Sequence, residues 1–201
     1  MNFLVLGEAG SGKDTFADIL TEYSPGYHRY AFGDEIRNVC RTLREHGIVS
    51  TELQLLKLFN RKSPKGLLDK LFEFQKIPEE YPKDRKLLQE LGTYCRLHDD
   101  YIWIRKVQDR TKGKDNIIIT DCRRLIEFNS FENYIKVYIE STLENRIERL
   151  KKRDGIVDIQ MFNHPAELEI RGLKSLCDYV VENNGSLDEF RKQIKEVLKL
   201  C

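Results

Sequence analysis

A glycine-rich run near the amino end carries the residues with the clearest chemistry. Gly7, Gly12 and Lys13 stand at Gly-x-x-x-x-Gly-Lys spacing, directly after the apolar run Phe3 to Leu6. There a strand ends in a loop whose backbone N–H groups, with the positive end of the next helix, surround phosphate oxygens. The lysine contacts the β- and γ-phosphates of a nucleotide. The pattern predicts an ATP site at Gly7, Gly10, Ser11, Gly12, Lys13, Asp14 and Thr15. The alternative is a turn that only joins a strand to a helix.

One residue of this loop departs from the usual motif. Asp14 stands where the motif has the Ser or Thr that binds magnesium, and Thr15 follows it. Either Thr15 contributes a ligand, or the ion is held mainly by water and by the nucleotide phosphates. The departure favours small-molecule kinases over motor and switch NTPases.

A second polar element follows the apolar run Asn116 to Thr120. It begins with Asp121 and continues as Cys122-Arg123-Arg124. At the carboxyl end of a strand beside the loop, Asp121 would orient magnesium and its waters, and Arg123 or Arg124 would contact a phosphate. The alternative is that Asp121 caps the next helix, and both uses can coexist.

A cluster of cations follows further along the chain. Arg146, Arg149 and Arg153 are spaced to share one face of a helix. Phosphoryl transfer needs cations against the equatorial oxygens, and a mobile cationic helix would close over the site and exclude water. The alternative is a solvated face on which Glu144 and Glu148 pair with the arginines.

Short apolar runs alternate with amphipathic stretches and are predicted to form five strands: Phe3 to Leu6, Tyr27 to Phe32, Asn116 to Thr120, Ile135 to Ile139 and Asp178 to Val181. Helical spacing is found at Lys13 to Tyr23 and again at Leu143 to Leu150. Strands that alternate with helices predict an α/β fold with a parallel sheet and right-handed crossovers.

The long interval between the second and third strands is predicted to be helical. Its periodic stretches are Ile36 to Leu43, Thr51 to Phe59 and Lys86 to Leu97. We therefore expect a single domain with its core at 1–32 and 115–201 and a helical insertion at 33–114. Residues 45–84 match no motif.

Composition limits the partners and the location of the protein. The 201 residues include 34 basic and 33 acidic residues, so the net charge of +1 predicts no general attraction to nucleic acid or membrane. The amino end lacks the features of a signal peptide, and we expect a cytoplasmic protein. The five cysteines are scattered, which predicts free thiols rather than a disulfide framework or a zinc site. A homodimer stays open as an assembly state.

Five segments carry a combined pattern: the Gly7 to Thr15 loop, Leu88-Gln89-Glu90-Leu91-Gly92-Thr93 with the later Trp103, Asp121-x-Arg123, His164-x-x-Glu167, and Asp178 to Leu187. In this order they resemble the deoxynucleoside monophosphate kinases of bacteriophages, over nearly the whole chain. The resemblance implies a P-loop NTPase of the nucleoside monophosphate kinase-like type. Such a fold has a five-stranded parallel sheet, a helical acceptor-binding insertion and a lid at about 141–175.

The carboxyl half also resembles dephospho-coenzyme A kinase. Its similar segments are Arg149 to Gly155 and the Asn-x-Gly-Ser-Leu stretch that begins at Asn183. Three functions therefore stay open. The expected one is transfer of the ATP γ-phosphoryl group to the 5′-phosphate of a deoxynucleoside monophosphate, with Mg²⁺. The alternatives are phosphorylation of dephospho-coenzyme A or another small metabolite, and a nucleotide-binding regulator without catalysis.

The residue patterns above and the phage-kinase resemblance together predict roles for individual residues. Lys13, Asp121, Arg149 and Arg153 would carry catalysis, with the two arginines as lid cations. Thr15 and Asp121 would hold magnesium, directly or through water, and Asn184 would lie at the ATP unless it only forms a turn.

The same resemblance implies an acceptor pocket lined by Asp34, Arg37, Arg85, Gln89, Arg96, Trp103 and Arg123. Trp103 would pack against a base, although an apolar helix residue more often belongs to a core. His164 and Glu167 match a family motif without an evident chemical task, so capping, lid anchoring and catalysis all stay open.

Overall fold

The computed structural model describes residues 1–79, 84–155, 157, 159–163 and 165–200. Within these ranges one parallel sheet has the order β2-β3-β1-β4-β5. Its strands are β1 (Phe3–Leu6), β2 (His28–Tyr30), β3 (Ile117–Ile119), β4 (Ile135–Glu140) and β5 (Tyr179–Glu182). The predicted α/β fold with a five-stranded parallel sheet is thus confirmed, and each predicted strand lies within two residues of an observed one.

The central strands β1 and β3 are apolar and buried on both faces. Every residue of β1 and of β3 is buried, as expected for a parallel sheet covered on both sides. β1 lies between β3 and β4, with Phe3 opposite Ile118 and Leu6 opposite Tyr138. Since all the strands run in one direction, the segments that follow them emerge at the same edge of the sheet.

The chain divides into two compact units, one formed by 1–31 with 113–201 and the other by 32–112. The first unit holds the sheet and five helices among its described residues: α1 (Lys13–Tyr23), α6 (Leu125–Asn129), α7 (Leu143–Asp154), α8 (Pro165–Leu173) and α9 (Leu187–Leu200). Short 3₁₀ turns lie at Ile159–Asn163 and Lys174–Leu176. In its core, the Phe3 ring meets Phe16 at 6.4 Å and Tyr27 at 5.7 Å between centroids.

The second unit is helical in its described residues, as the sequence predicts. Its helices are α2 (Phe32–Leu58), α3 (Leu67–Gln75), α4 (Arg85–His98) and α5 (Ile102–Thr111). The two predicted helices within 36–59 form one element, α2, that is interrupted at Gly47, where φ is 74° and ψ is −172°. The sequence patterns did not reveal α3 and α5. The acceptor-binding role of this segment and the lid at 141–175 stay predictions.

The cysteines of the described residues are unpaired, in agreement with the prediction of free thiols. Cys40, Cys95 and Cys122 are buried and Cys177 is partly buried, whereas Cys201 lies outside the described residues. Burial raises the pKa of Cys40 and of Cys95 to about 12, so these thiols are protonated at neutral pH. None of the described helices combines the length and the apolar character needed to cross a bilayer.

Candidate phosphate-binding site

The loop after β1 needs glycine at three positions because other elements pack against its backbone. These positions have positive φ angles, 142° at Gly7, 78° at Gly10 and 104° at Gly12. A Cβ added at the first would lie 2.6 Å from the Ile139 carbonyl oxygen, at the second 2.8 Å from that of Arg146, and at the third 2.3 Å from Asn183 Nδ2. Segments from β4, from α7 and from beyond β5 thus fix the shape of the loop.

Lys13 is buried against this loop at the start of α1. Its Nζ donates hydrogen bonds to the carbonyl oxygens of Gly7 at 2.6 Å and Glu8 at 3.0 Å. Burial lowers the pKa of Lys13 to about 8, and the Arg123 guanidinium also lowers it. Three carboxylates oppose this effect, those of Glu167, Asp14 and Asp121. The lysine therefore lies near Asp14, Asp121 and Arg123, which the sequence predicts for the site.

Two arginines hold the side chain of the loop residue Glu8. Its carboxylate pairs with Arg146 Nη1 at 2.5 Å and with Arg171 Nε at 2.6 Å. Arg146 is 3% exposed, donates from Nε to the Ala9 carbonyl oxygen at 3.1 Å, and lies over the Phe162 ring. Arg146 is thus buried and holds the loop through Glu8 and Ala9. The sequence suggests instead a helix face that is solvated or that closes over the site.

The other two arginines of α7 have different surroundings. Arg149 Nη2 donates to the Asn183 carbonyl oxygen at 2.7 Å, and Nη1 donates to Ser141 Oγ at 2.9 Å. Burial lowers the pKa of Arg149. Arg153 pairs with its neighbour Asp154 at 2.6 Å and is half exposed. Arg149 thus contacts Asn183, which itself binds the loop, whereas Arg153 pairs with its own neighbour in α7.

The turn after β5 connects α7 with the loop. Asn183 Nδ2 donates to the Ser11 carbonyl oxygen at 2.8 Å. Asn184 Oδ1 accepts from the Thr142 N–H at 2.8 Å, and the Asn184 carbonyl oxygen accepts from Asn145 Nδ2 at 3.2 Å. Asn184, predicted at the ATP, therefore lies beside the start of α7, and its neighbour Asn183 makes the direct contact with the loop.

The segment after β3 places Asp121 and Arg123 near Lys13. The N-cap of α6 is Arg124, and the Glu127 carboxylate accepts from the Arg123 N–H at 2.7 Å and from the Arg124 N–H at 3.2 Å. Asp121 is therefore not the cap of α6, which was the structural alternative for this residue. It is partly buried, and its charge raises the pKa of Lys13.

Asp14, in the place of the usual Ser or Thr, has a cationic partner that the sequence did not indicate. Its carboxylate accepts from Arg29 Nη2 at 2.7 Å, and Arg29 Nε donates to Thr120 Oγ1 at 3.1 Å. Arg29 lies in β2, and only the strand order shows that β2 is the neighbour of β3. Thr15 is exposed beside Asp14.

The loop has the features of a phosphate site. The close packing around its glycines leaves no room for a Cβ, and the Ser11 hydroxyl is buried without a hydrogen-bond partner. Among the residues that the structure describes, no three His, Cys, Asp or Glu side chains form a cluster that could hold a metal ion. Thr15 and Asp121 stay the predicted magnesium ligands.

The predicted acceptor residues of the helical unit fall into two groups. Arg85, Gln89 and Arg96 share one face of α4, where the first two are exposed and the third is partly buried. Asp34 and Arg37 form an exposed ion pair in the first turn of α2. Their roles stay predictions.

Trp103 belongs to the core of the helical unit. It is 2% exposed, and its Nε1 donates to the Gly92 carbonyl oxygen at 3.3 Å. The prediction that it packs against a base is thereby corrected in favour of the core alternative, because a buried ring offers no face to a ligand.

The structure explains one of the two residues of the His164-x-x-Glu167 motif. His164 lies outside the described residues. Glu167 is buried, and its carboxylate accepts from the loop N–H of Ala9 and from Arg123 Nη1, both at 2.8 Å. Its position in the site was not predicted, since the spacing of the motif indicates no partner.

Comparison with known proteins relates the chain to kinases. No family model matches it. A UPF0200 protein of Thermococcus kodakarensis is 29% identical over 212 residues, which cover 98% of this chain and 96% of that protein. A dephospho-CoA kinase of Aquifex aeolicus is 25% identical over 196 residues, covering 95% and 92%.

Solved structures show the same fold. TT1252 of Thermus thermophilus aligns over 99% of this chain and 97% of its own, with a TM-score of 0.59 and 19% identity. A dephospho-CoA kinase of Campylobacter jejuni aligns over 99% and 96%, with a TM-score of 0.50 and 19% identity. The chain thus has a P-loop kinase fold, related in sequence and structure to dephospho-CoA kinases rather than specifically to phage deoxynucleoside monophosphate kinases.

Proposed function

We propose that this protein is an ATP-dependent kinase that phosphorylates a small metabolite, with dephospho-CoA as the acceptor. The glycine loop with the buried Lys13 is the observation that carries the kinase assignment. The acceptor is supported by the similarity to the Aquifex aeolicus dephospho-CoA kinase along 95% of the chain. We also propose that the enzyme is cytoplasmic, acts on a small-molecule nucleotide, and has no nucleic acid or membrane partner.

One observation favours a second candidate, a deoxynucleoside monophosphate kinase. The Leu-Gln-x-Leu-Gly-Thr segment lies on α4, and its Gln89 shares a helix face with Arg85 and Arg96. Two cations and an amide on one face suit a phosphorylated nucleoside. The relatives support dephospho-CoA more strongly, so this acceptor takes second place.

The residues of the loop region would act mainly through position and charge. Loop N–H groups and Lys13 would bind the phosphate chain, and Lys13 and Arg123 would balance the charge of the transferred group. Magnesium, when bound, would offset charge on the phosphate oxygens, and Thr15 and Asp121 are the side chains that would hold it, directly or through water. A hydroxyl acceptor must also lose a proton, and Asp121, whose charge acts on Lys13, would be the base that takes it.

A single assay distinguishes the acceptors. The protein is incubated with ATP and magnesium, in parallel with dephospho-CoA and with a panel of ribo- and deoxynucleoside monophosphates, and the products are separated by chromatography. We expect a product from dephospho-CoA. Turnover of deoxynucleoside monophosphates alone would select the second candidate, and ATP binding without any product would indicate a nucleotide-binding regulator.

We expect ATP binding to be coupled to proton uptake near pH 8. Burial lowers the pKa of Lys13 to about 8, whereas a bound phosphate chain favours the charged amine and raises its pKa again. At that pH roughly half of the lysines are neutral, so binding takes up about half a proton per site. Affinity therefore falls as the pH rises above about 8.

Calorimetric titration with ATP in two buffers of different ionisation enthalpy measures this uptake. The matched control is Lys13→Arg, whose guanidinium keeps its charge in this range. Equal proton uptake by the two proteins would show that Lys13 is not its source.

A further inference from the structure

Glu167 presents an unusual combination of burial and charge beside a loop that binds anions. Its side chain is 4% exposed, and its two carboxylate oxygens have different partners. Oε2 accepts from the Ala9 N–H of the phosphate loop at 2.8 Å, and Oε1 accepts from Arg123 Nη1 at 2.8 Å. A buried carboxylate is costly unless it is fully paired, and these two partners provide the pairing.

The two bonds connect elements that are far apart in the chain. Glu167 belongs to α8, Ala9 to the loop after β1, and Arg123 to the segment after β3. Arg123 is 43% exposed, so a large part of its guanidinium is accessible while one nitrogen is fixed. The carboxylate thus anchors a cation that can still contact a ligand.

We propose that Glu167 is a positioning residue for phosphoryl transfer, which holds the Arg123 guanidinium beside the phosphate loop and fixes the loop at Ala9. The inference rests on the proposed kinase function. Arg123 would touch the transferred phosphoryl group, and Glu167 would act through Arg123 without touching it. A shift of about 1 Å in such a group lowers the rate by about 10²-fold.

The first experiment compares two variants of one helix. Glu167→Gln keeps the shape and an acceptor for Ala9 but loses the anchor of Arg123. Glu169→Gln is the matched control, because Glu169 lies two residues later in α8 and is exposed, where it accepts from the Leu125 N–H at 2.7 Å. We expect kcat to fall about 10- to 100-fold in Glu167→Gln, with little change in KM for ATP, and to stay unchanged in the control. Equal kcat values for the two variants would overturn the proposal.

The second experiment is a double-mutant cycle of Glu167→Gln and Arg123→Gln, read in kcat with KM for ATP beside it. Because Glu167 would act only through Arg123, we expect kcat of the double variant to equal that of Arg123→Gln within about twofold. Arg123→Gln leaves the buried Glu167 carboxylate without its cation, so thermal unfolding of each variant is measured beside the kinetics, and the double variant removes both charges. Losses of kcat that multiply in the double variant would overturn the proposal, whereas absence of product from every acceptor would count against the proposed function.

Discussion

Replacing Lys13 by Ala is expected to lower phosphoryl transfer by about 10²- to 10³-fold at neutral pH, because it removes the cation that would follow the charge of the moving group. Arg123 is proposed to share this role, whereas the other arginines near the loop are held by other partners. Arg146 is committed to Glu8 and to the Ala9 carbonyl oxygen, and Arg149 is bound to Asn183 and Ser141. The measurement is kcat/KM with the acceptor identified in the chromatographic assay.

The same substitution should leave the fold intact. The pKa of Lys13 falls from 10.5 to about 8 in the folded protein, so its buried charge opposes folding at neutral pH. Unfolded chains bind more protons than folded ones between those values, so the wild-type protein should gain stability relative to Lys13→Ala as the pH rises from about 8. Thermal unfolding of both proteins at pH 7 and pH 9.5 checks the sign. Full activity in the variant would refute the assignment of the loop.

Substituting Gly10 by Ala is expected to destabilise the protein and to disrupt the loop. Its φ of 78° alone costs a side-chain-bearing residue about 1–2 kcal/mol. The added Cβ would also lie 2.8 Å from the Arg146 carbonyl oxygen and 3.0 Å from Leu150 Cγ, and relieving such overpacking costs about 1–3 kcal/mol more. Because the loop must move away from α7, we also expect ATP affinity to fall by at least about 10-fold.

Gly113 provides the matched control for this substitution. Its φ is 71°, close to that of Gly10, but a Cβ there would meet nothing within 4 Å. Gly113→Ala therefore carries the backbone cost without the clash, and its ATP affinity should equal that of the wild-type protein. Chemical denaturation and ATP titration of both variants separate the cost of the backbone conformation from the cost of the clash with α7. Equal losses of stability and of ATP affinity in the two variants would show that the contact with α7 is unimportant.

Much of the fold can be read from local sequence patterns. The strand β1 and the helix α1 have the predicted bounds, because an apolar run followed by Gly-x-x-x-x-Gly-Lys leaves little conformational choice. The other four strands were also found within two residues. β3 is a buried apolar run, as expected for a central parallel strand, whereas β2 and β5 lie at the sheet edges and are mostly exposed. By contrast, α3 and α5 were not predicted. α3 lies within residues 45–84, which match no motif, and α5 follows α4 after a short loop.

The roles of charged residues were harder to predict than their presence. Sequence spacing places Arg146, Arg149 and Arg153 on one helix face, but their surroundings differ. Arg146 pairs with Glu8, Arg149 donates to Asn183, and Arg153 forms a half-exposed ion pair with Asp154. Trp103 illustrates the same limit, since its type and spacing suit both a base and a core. Only the packing of the helical unit decides for the core.

The sequence by itself determined the phosphate loop, its lysine and the alternation of strands and helices, because these depend on neighbours within one or two turns of the chain. The tertiary structure alone decided which side chains surround that loop. Glu167 meets Ala9 across 158 positions, and Arg149 contacts the loop residue Ser11 across 138. Such contacts arise from the sheet order and from the burial of each helix, so no local spacing can encode them.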